Sequence, residues 1–186
     1  MKITLIRHGK VNMNWEKRYT SAEYDAAWKA YDDCDIFPIE DHLDLPPDAK
    51  VFVTPFKRTQ ETARQFLGAE TFEIIDGLAN EVPLRSYKDS NRRRSPGYMN
   101  FRGRLQWYFR SKRQEELPRE TKKRAEQLIS YLESRTDNAV LVMHGFYLRI
   151  VVAVLISKGY LVTGRPRFKV PNLIVVDAVK NEANRK

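Results

Sequence analysis

Two of the three histidines follow short apolar runs, and each is followed directly by glycine. In ITLIRHGK an apolar run gives way to Arg7 and His8, and in VLVMHG another run gives way to His144. A third run, VFV, precedes TPFKRTQETA, in which Arg58 opens a helical pattern. The planar guanidinium group of arginine binds two phosphate oxygens at once. A neutral imidazole is a nucleophile near neutral pH. Brought together, these residue types suit phosphoryl transfer through a phosphohistidine on His8.

Such a transfer needs an acid for the leaving oxygen, and two carboxyl groups follow another apolar run. They are Asp76 in IIDG and Glu81 in NEVPLR. Either could protonate the leaving oxygen and then take a proton from the attacking water; Glu81 is the preferred candidate, and Asp76 stays open. His144 would donate to the equatorial phosphate oxygens. Because arginines already supply the positive charge, we expect no metal and no cofactor.

Short elements must position these residues. Nearly continuous apolar character predicts five strands buried on both faces of a parallel sheet: Ile3–Ile6, Val51–Val53, Phe72–Ile75, Ala139–Met143 and Leu173–Val176. Helical spacing predicts helices between them, over residues 22–31, 58–67, 121–134 and 146–158. This alternation predicts a three-layer α/β fold with a mostly parallel central sheet flanked by helices. The carboxyl ends of parallel strands share one edge, so the polar residues should meet there.

Residues 85–120 interrupt the alternation and predict a small, basic helical cap inserted into a single domain over 1–186. Residues 85–124 hold fourteen Lys/Arg against four Asp/Glu. The excess of basic residues in this segment therefore accounts for the formal net charge of +9. Such a field attracts anions. The aromatic residues of this segment are expected to form the packing face of its helix: Tyr98, Phe101, Trp107, Tyr108 and Phe109.

The remaining composition indicates a cytoplasmic protein. Cys34 is the one cysteine among 186 residues, which excludes an intramolecular disulfide. The N-terminus lacks a signal-peptide pattern, and the longest apolar stretch is interrupted by Arg149 and too short for a membrane span. We expect a small phosphorylated substrate as the partner and no membrane. Nucleic acid is a less favoured partner, and the oligomeric state stays open.

The motifs LIRHGK, TPFKRTQETA, NEVPLR and VLVMHG, in this order, resemble the histidine phosphatase superfamily, which includes the cofactor-dependent phosphoglycerate mutases. The matches span nearly the whole chain. The resemblance implies a phosphohistidine on His8 and a phosphate pocket of Arg7, Arg58 and His144. It further implies that Asn14, six residues beyond the nucleophile, assists this pocket.

Four further basic residues are candidate substrate contacts: Lys10, Arg18, Arg92 and Arg93. Arg18 falls where the mutase-like branch of the family has an arginine. The Gly-Trp-Glu-Gly-type signature of that branch is absent, and the chain is shorter than a typical mutase. These differences favour hydrolysis of a phosphomonoester, from a small metabolite or a phosphoprotein. The alternatives are a mutase-like phosphotransferase and a non-catalytic regulatory protein that binds phosphate or nucleic acid.

Overall fold

Six strands and five helices form the part of the chain that the structure describes, residues 1–166 and 169–180 of a computed structural model. In chain order they are β1 (Lys2–Arg7), α1 (Ser21–Asp33), β2 (Lys50–Val53), α2 (Lys57–Leu67), β3 (Glu73–Ile74), α3 (Pro96–Tyr108), α4 (Pro118–Arg135), β4 (Asn138–Met143), α5 (Gly145–Ser157), β5 (Tyr160–Thr163) and β6 (Val175–Lys180).

The strands form one sheet in the order β3-β2-β4-β1-β6-β5. Strands β1, β2, β3 and β4 are all parallel to one another. Strand β6 is antiparallel to both of its neighbours, β1 and β5. Strands β1 and β4 lie side by side at the centre, with Arg7 in register with Met143. The residues that follow these two strands therefore begin next to each other at the same edge of the sheet.

Alternate residues of the central strands pack on opposite faces of the sheet. Ile3 and Leu5 of β1 belong to a buried cluster with α4 and α5, whereas Ile6 belongs to a cluster with α2. Fully burying one such side chain contributes about 1.5–3 kcal/mol, so β1 is stabilised from both sides. Covering both faces explains the continuous apolar runs, and the predicted three-layer α/β fold is confirmed.

Helix boundaries follow local sequence signals. Thr20 and Glu23 form a reciprocal capping box at the start of α1, where each side chain accepts from the other residue's backbone N–H. Gly68 ends α2 in the left-handed conformation, with φ of 60°, where glycine is favoured. The α2 face that carries Thr59, Ala63 and Phe66 is buried.

Helix α5 packs against α4 and β5 and leaves Ala153 and Ile156 exposed. Its buried residues include Leu148, Val151 and Leu155, which join the cluster that β1 shares with α4. Within residues 1–166 and 169–180, no helix combines the length and the apolar character needed to cross a membrane.

The carboxyl-terminal part of the sheet differs from the sequence prediction. The strand expected at Leu173–Val176 is β6, Val175–Lys180, and it runs antiparallel to β1. Leu173 has a φ of 59°, which excludes it from a strand, and its N–H donates to the carbonyl of Arg7. Strand β5 is not predicted from the sequence; it lies at the edge of the sheet, where Leu161 is exposed.

The predicted cap contains a helix, α3, but the expected packing face is wrong. Tyr98, Phe101, Tyr108 and Phe109 are exposed, whereas Met99 and Gly103 are the buried residues. A Cβ at Gly103 would lie 2.7 Å from Leu84 Cδ1, so the small residue allows α3 to approach the segment after β3. Trp107 is the aromatic residue that packs inward, 5.0 Å from the Phe146 ring.

Candidate active site

The ends of β1 and β4 bring two histidines together. The His8 backbone N–H donates to the Met143 carbonyl at 3.0 Å, and the ring centroids of His8 and His144 lie 5.4 Å apart. Arg58 reaches the same edge from the first turn of α2. A cavity of about 410 Å³ opens here, and the core of the predicted site lines it: Arg7, His8, Arg58, Glu81 and His144.

His8 is buried, and its hydrogen bonding determines its tautomer. Its Nδ1 lies 2.7 Å from the Gly9 carbonyl, and a carbonyl can only accept, so Nδ1 carries the proton. Burial, with the nearby charge of Arg58, lowers the pKa of His8 from 6.5 to about 3. The ring is therefore neutral near neutral pH, with a lone pair on Nε2.

His144 is held in the opposite tautomer by a chain of hydrogen bonds. Its Nδ1 accepts from Arg58 Nε at 3.3 Å, so the proton lies on Nε2, which is 3.0 Å from Thr54 Oγ1. The Thr54 hydroxyl contacts that of Thr59 at 2.9 Å, and Thr59 donates in turn to backbone carbonyls. Burial, together with Arg58, keeps the pKa of His144 well below its usual value. Both ring nitrogens are thus engaged, so the expected donation by His144 to phosphate oxygens has no support in this arrangement, and His144 orients Arg58 instead.

Arg58 is held on several sides although its side chain is almost fully buried. Its Nη1 donates to Asp32 Oδ1 at 2.9 Å, and its guanidinium stacks on Phe56 and Tyr31, 4.4 and 5.0 Å from the ring centroids. A buried charge needs such compensation. The result is a pre-oriented cation in the wall of the cavity.

Arg7 is positioned by backbone on both sides. Its Nη1 donates to the Val170 carbonyl, and its guanidinium lies against the backbone of Gly145. A Cβ at Gly145 would lie 2.9 Å from Arg7 Nε and 3.2 Å from Cζ. Any larger residue after His144 would therefore displace the Arg7 guanidinium.

Of the two candidate acids, the structure brings Glu81 to the cavity. Its Oε2 accepts from the Phe146 N–H at 3.1 Å and its Oε1 from the Tyr147 N–H at 2.9 Å, so the carboxylate sits at the N-terminus of α5. Asp76 is exposed, accepts from Gly77 N–H at 2.7 Å, and does not line the cavity.

Five predicted contacts are exposed and do not line this cavity: Lys10, Asn14, Arg18, Arg92 and Arg93. The Arg93 side chain donates to the Arg18 carbonyl and pairs with Glu23 at 3.4 Å. The loop after β1 pairs with the segment before α3 at Tyr19 and Arg94, and this pairing keeps both segments at the surface. Their expected role in phosphate or substrate binding thus has no support in this arrangement.

The cavity also has walls that the motifs do not reveal. Trp28 and Tyr31 come from α1, and Asn100 and Arg104 come from α3. Arg104 donates to the Val82 carbonyl at 3.0 Å and stacks 3.9 Å from the Phe146 ring centroid; burial lowers its pKa. Helical spacing is the sequence signal that could have grouped them, because Trp28 and Tyr31, like Asn100 and Arg104, lie one helical turn apart and so share a face.

The sequence comparisons agree with this geometry. The model of the histidine phosphatase superfamily (branch 1) matches residues 3–179. The chain belongs to this superfamily. A comparison with the curated proteins finds no match.

Solved structures share the fold at low sequence identity. The open reading frame Rv3214 from Mycobacterium tuberculosis is 17% identical, with a TM-score of 0.58 over 97% of this chain and 92% of that one. The alpha-ribazole phosphatase from Shigella flexneri is 20% identical, with a TM-score of 0.55 over 98% and 92%. Phosphoserine phosphatase from Entamoeba histolytica is 15% identical, with a TM-score of 0.54 over 95% and 89%. Superfamily and neighbours together support a phosphatase in general terms.

Proposed function

We propose that the protein is a metal-independent phosphatase that hydrolyses a phosphomonoester through a phosphohistidine on His8. The observation that carries the proposal is the neutral His8 ring, whose Nδ1 proton is bound to the Gly9 carbonyl while Nε2 keeps its lone pair. This nitrogen shares one cavity with two guanidinium groups, which match the charge of a phosphate.

The reaction has two steps in this proposal. Arg7 and Arg58 hold the phosphate oxygens, and Nε2 of His8 forms the P–N bond as the P–O bond to the leaving group breaks. Glu81, in its protonated form, gives its proton to the leaving oxygen. Water then attacks phosphorus while Glu81 takes its proton, the P–N bond breaks, and inorganic phosphate leaves with His8 restored.

His144 contributes by position. It fixes Arg58 through Nδ1 and is itself fixed by Thr54, so the cation need not reorient when charge develops on the phosphoryl group. Solved relatives named as phosphoserine phosphatase and alpha-ribazole phosphatase support the phosphomonoester class, although their particular substrates are not assigned to this chain.

The test is release of inorganic phosphate from a panel of phosphomonoesters in the presence of EDTA. We expect turnover by the wild type, loss of at least about a thousandfold in His8→Ala, and wild-type turnover in His42→Ala. His42 is the matched control because it is an exposed histidine, 3.4 Å from Asp44 and not among the residues that line the cavity.

Three outcomes would overturn the proposal. They are equal turnover by His8→Ala and wild type, loss of turnover in EDTA, and no phosphate release by folded wild-type protein. A positional isomer of the substrate in place of free phosphate would indicate mutase transfer. Rapid alkaline quenching should also trap a labelled phosphoenzyme in the wild type and none in His8→Ala.

A further inference from the structure

A second cavity, of about 840 Å³, lies beside the active site and is walled by aromatic side chains. We infer that it receives the leaving group of the phosphomonoester and that this leaving group carries a planar aromatic or heteroaromatic ring. The inference rests on the proposed function, since it extends that same site. We call this space the aromatic cavity, and its rings are Trp15, Tyr24, Trp28, Tyr31 and Phe101.

The aromatic cavity is continuous with the active site because the two share walls. Trp28, Tyr31, Asn100, Arg104 and Lys169 line both. A group bonded to a phosphate on Arg7 and Arg58 has a direct path along this common wall. Tyr31 joins the two spaces physically, since its ring also stacks on the Arg58 guanidinium.

The rings are arranged to accept a flat partner. The Trp15 and Trp28 centroids lie 5.4 Å apart with an interplanar angle of 63°, and Trp28 and Tyr31 lie 5.2 Å apart at 66°. Such edge-to-face contacts hold the rings at an angle to one another, and a planar ligand ring stacks on aromatic side chains with the same preferred geometries. Phe101 stands at the rim with 63% of its surface exposed. An aromatic ring at the mouth of an apolar space can cover part of a bound ring.

The charge of the walls favours a neutral or anionic ring. Among the described residues that line the aromatic cavity, the charged ones are Arg104 and Lys169, both cationic. A different cavity of about 550 Å³ shares Arg58 and Glu81 with the active site, but carboxylates of Asp25, Asp32 and Glu115 line it as well. Lys29 and Arg85 line it too, so its walls carry both signs of charge and select neither a cationic nor an anionic leaving group. We favour the aromatic cavity because half of the described residues that line it carry aromatic rings and none of them carries a carboxylate.

The first experiment compares 2-naphthylethyl phosphate with ethyl phosphate, whose leaving oxygens have similar basicity. We expect the wild type to prefer the naphthyl substrate by about a hundredfold in kcat/KM. Phe101→Ala should lower this ratio at least fivefold, and Trp28→Leu should lower it further. Phe109→Ala is the matched control: it removes an equally exposed phenylalanine just beyond the end of α3 that does not line the cavity, and it should leave the ratio unchanged.

A binding experiment separates this inference from the proposed function. Calorimetry with 2-naphthylethylphosphonate and ethylphosphonate, on the His8→Ala protein, measures the preference without turnover. A naphthyl preference that Phe101→Ala reduces would support the aromatic cavity even if no ester is hydrolysed. Equal binding of the two phosphonates, or a preference that Phe101→Ala leaves intact, would overturn it even if hydrolysis proceeds. A preference lost on Glu115→Gln and kept in Phe101→Ala would assign the leaving group to the other cavity and likewise overturn it.

Discussion

Replacing Gly145 with alanine adds one methyl group beside the Arg7 guanidinium. The new Cβ would lie 2.9 Å from Nε, whereas ordinary contacts begin near 3.4 Å. The guanidinium is the far end of a flexible side chain, while Gly145 belongs to the first turn of a helix packed on the sheet. The arginine should therefore move by about 0.5 Å and the backbone should stay in place.

This displacement has a definite expected cost. A misplacement of about 1 Å at a catalytic group lowers the rate by about a hundredfold, so about 0.5 Å corresponds to a loss of about tenfold. Tenfold in kcat/KM is about 1.4 kcal/mol of transition-state stabilisation. Stability should not fall in parallel, because alanine is favoured over glycine within a helix by up to about 1 kcal/mol.

A double-mutant cycle with Arg7→Ala tests whether the effect passes through the arginine. We expect Gly145→Ala to lower kcat/KM for p-nitrophenyl phosphate about tenfold in the wild type and hardly at all in the Arg7→Ala protein. Thermal melts on all four proteins report whether they are folded. Equal losses in both backgrounds, or a melting temperature lowered in step with activity, would refute the reasoning.

Three other perturbations test separate parts of the site. Thr54→Val leaves the buried His144 Nε2–H without its acceptor and should lower the free energy of unfolding by about 1–3 kcal/mol in urea titrations, with Thr54→Ser close to wild type. Glu81→Gln should lower kcat by about 10²–10⁴-fold for an alkyl phosphate and far less for p-nitrophenyl phosphate, whose leaving group departs unprotonated; equal losses would exclude the acid role. The pKa of His8 is about 3 in the folded protein and 6.5 ordinarily, so His8 takes up a proton at a higher pH in the unfolded chain than in the folded protein. The free energy of unfolding should therefore fall as the pH drops below 6.5. At pH 5 this amounts to about 2 kcal/mol from His8, measured as the difference in denaturation between wild type and His8→Gln; an identical pH dependence in the two proteins would contradict it.

The sheet-edge residues could be predicted because short-range patterns determine where they lie. His8 and His144 follow buried parallel strands directly, and Arg58 opens the helix after a third. Parallel pairing then leaves little freedom, since adjacent strand ends must share an edge. The predicted last strand starts too early because β6 begins only after Leu173 has turned in the left-handed region, a conformation that no local residue type indicates.

The cap was harder to predict because its packing depends on residues distant in sequence. Exposed aromatics on α3 looked like a buried face, whereas Met99 and Gly103 make the actual contact with the segments around Tyr24 and Leu84. The predicted contacts at Arg92 and Arg93 failed to reach the cavity for the same reason. Their segment pairs with the loop after β1, and that register is not visible in charge patterning.

The phosphate-binding residues and the aromatic cavity are supported by different contacts. The residues that react with phosphate are therefore separate from those that would select the leaving group. Arg7 and His8 are held by backbone carbonyls, and His144 is held by the side chains of Thr54 and Arg58. Tyr24 and Trp28 of α1, with Met99 of α3, belong to a separate small cluster. Substitutions in that cluster would change which leaving group fits while the phosphate-binding geometry persists. Coupling between the two is expected where Tyr31 touches both Trp28 and Arg58, because a shift of that one ring displaces the cation on which the phosphate depends.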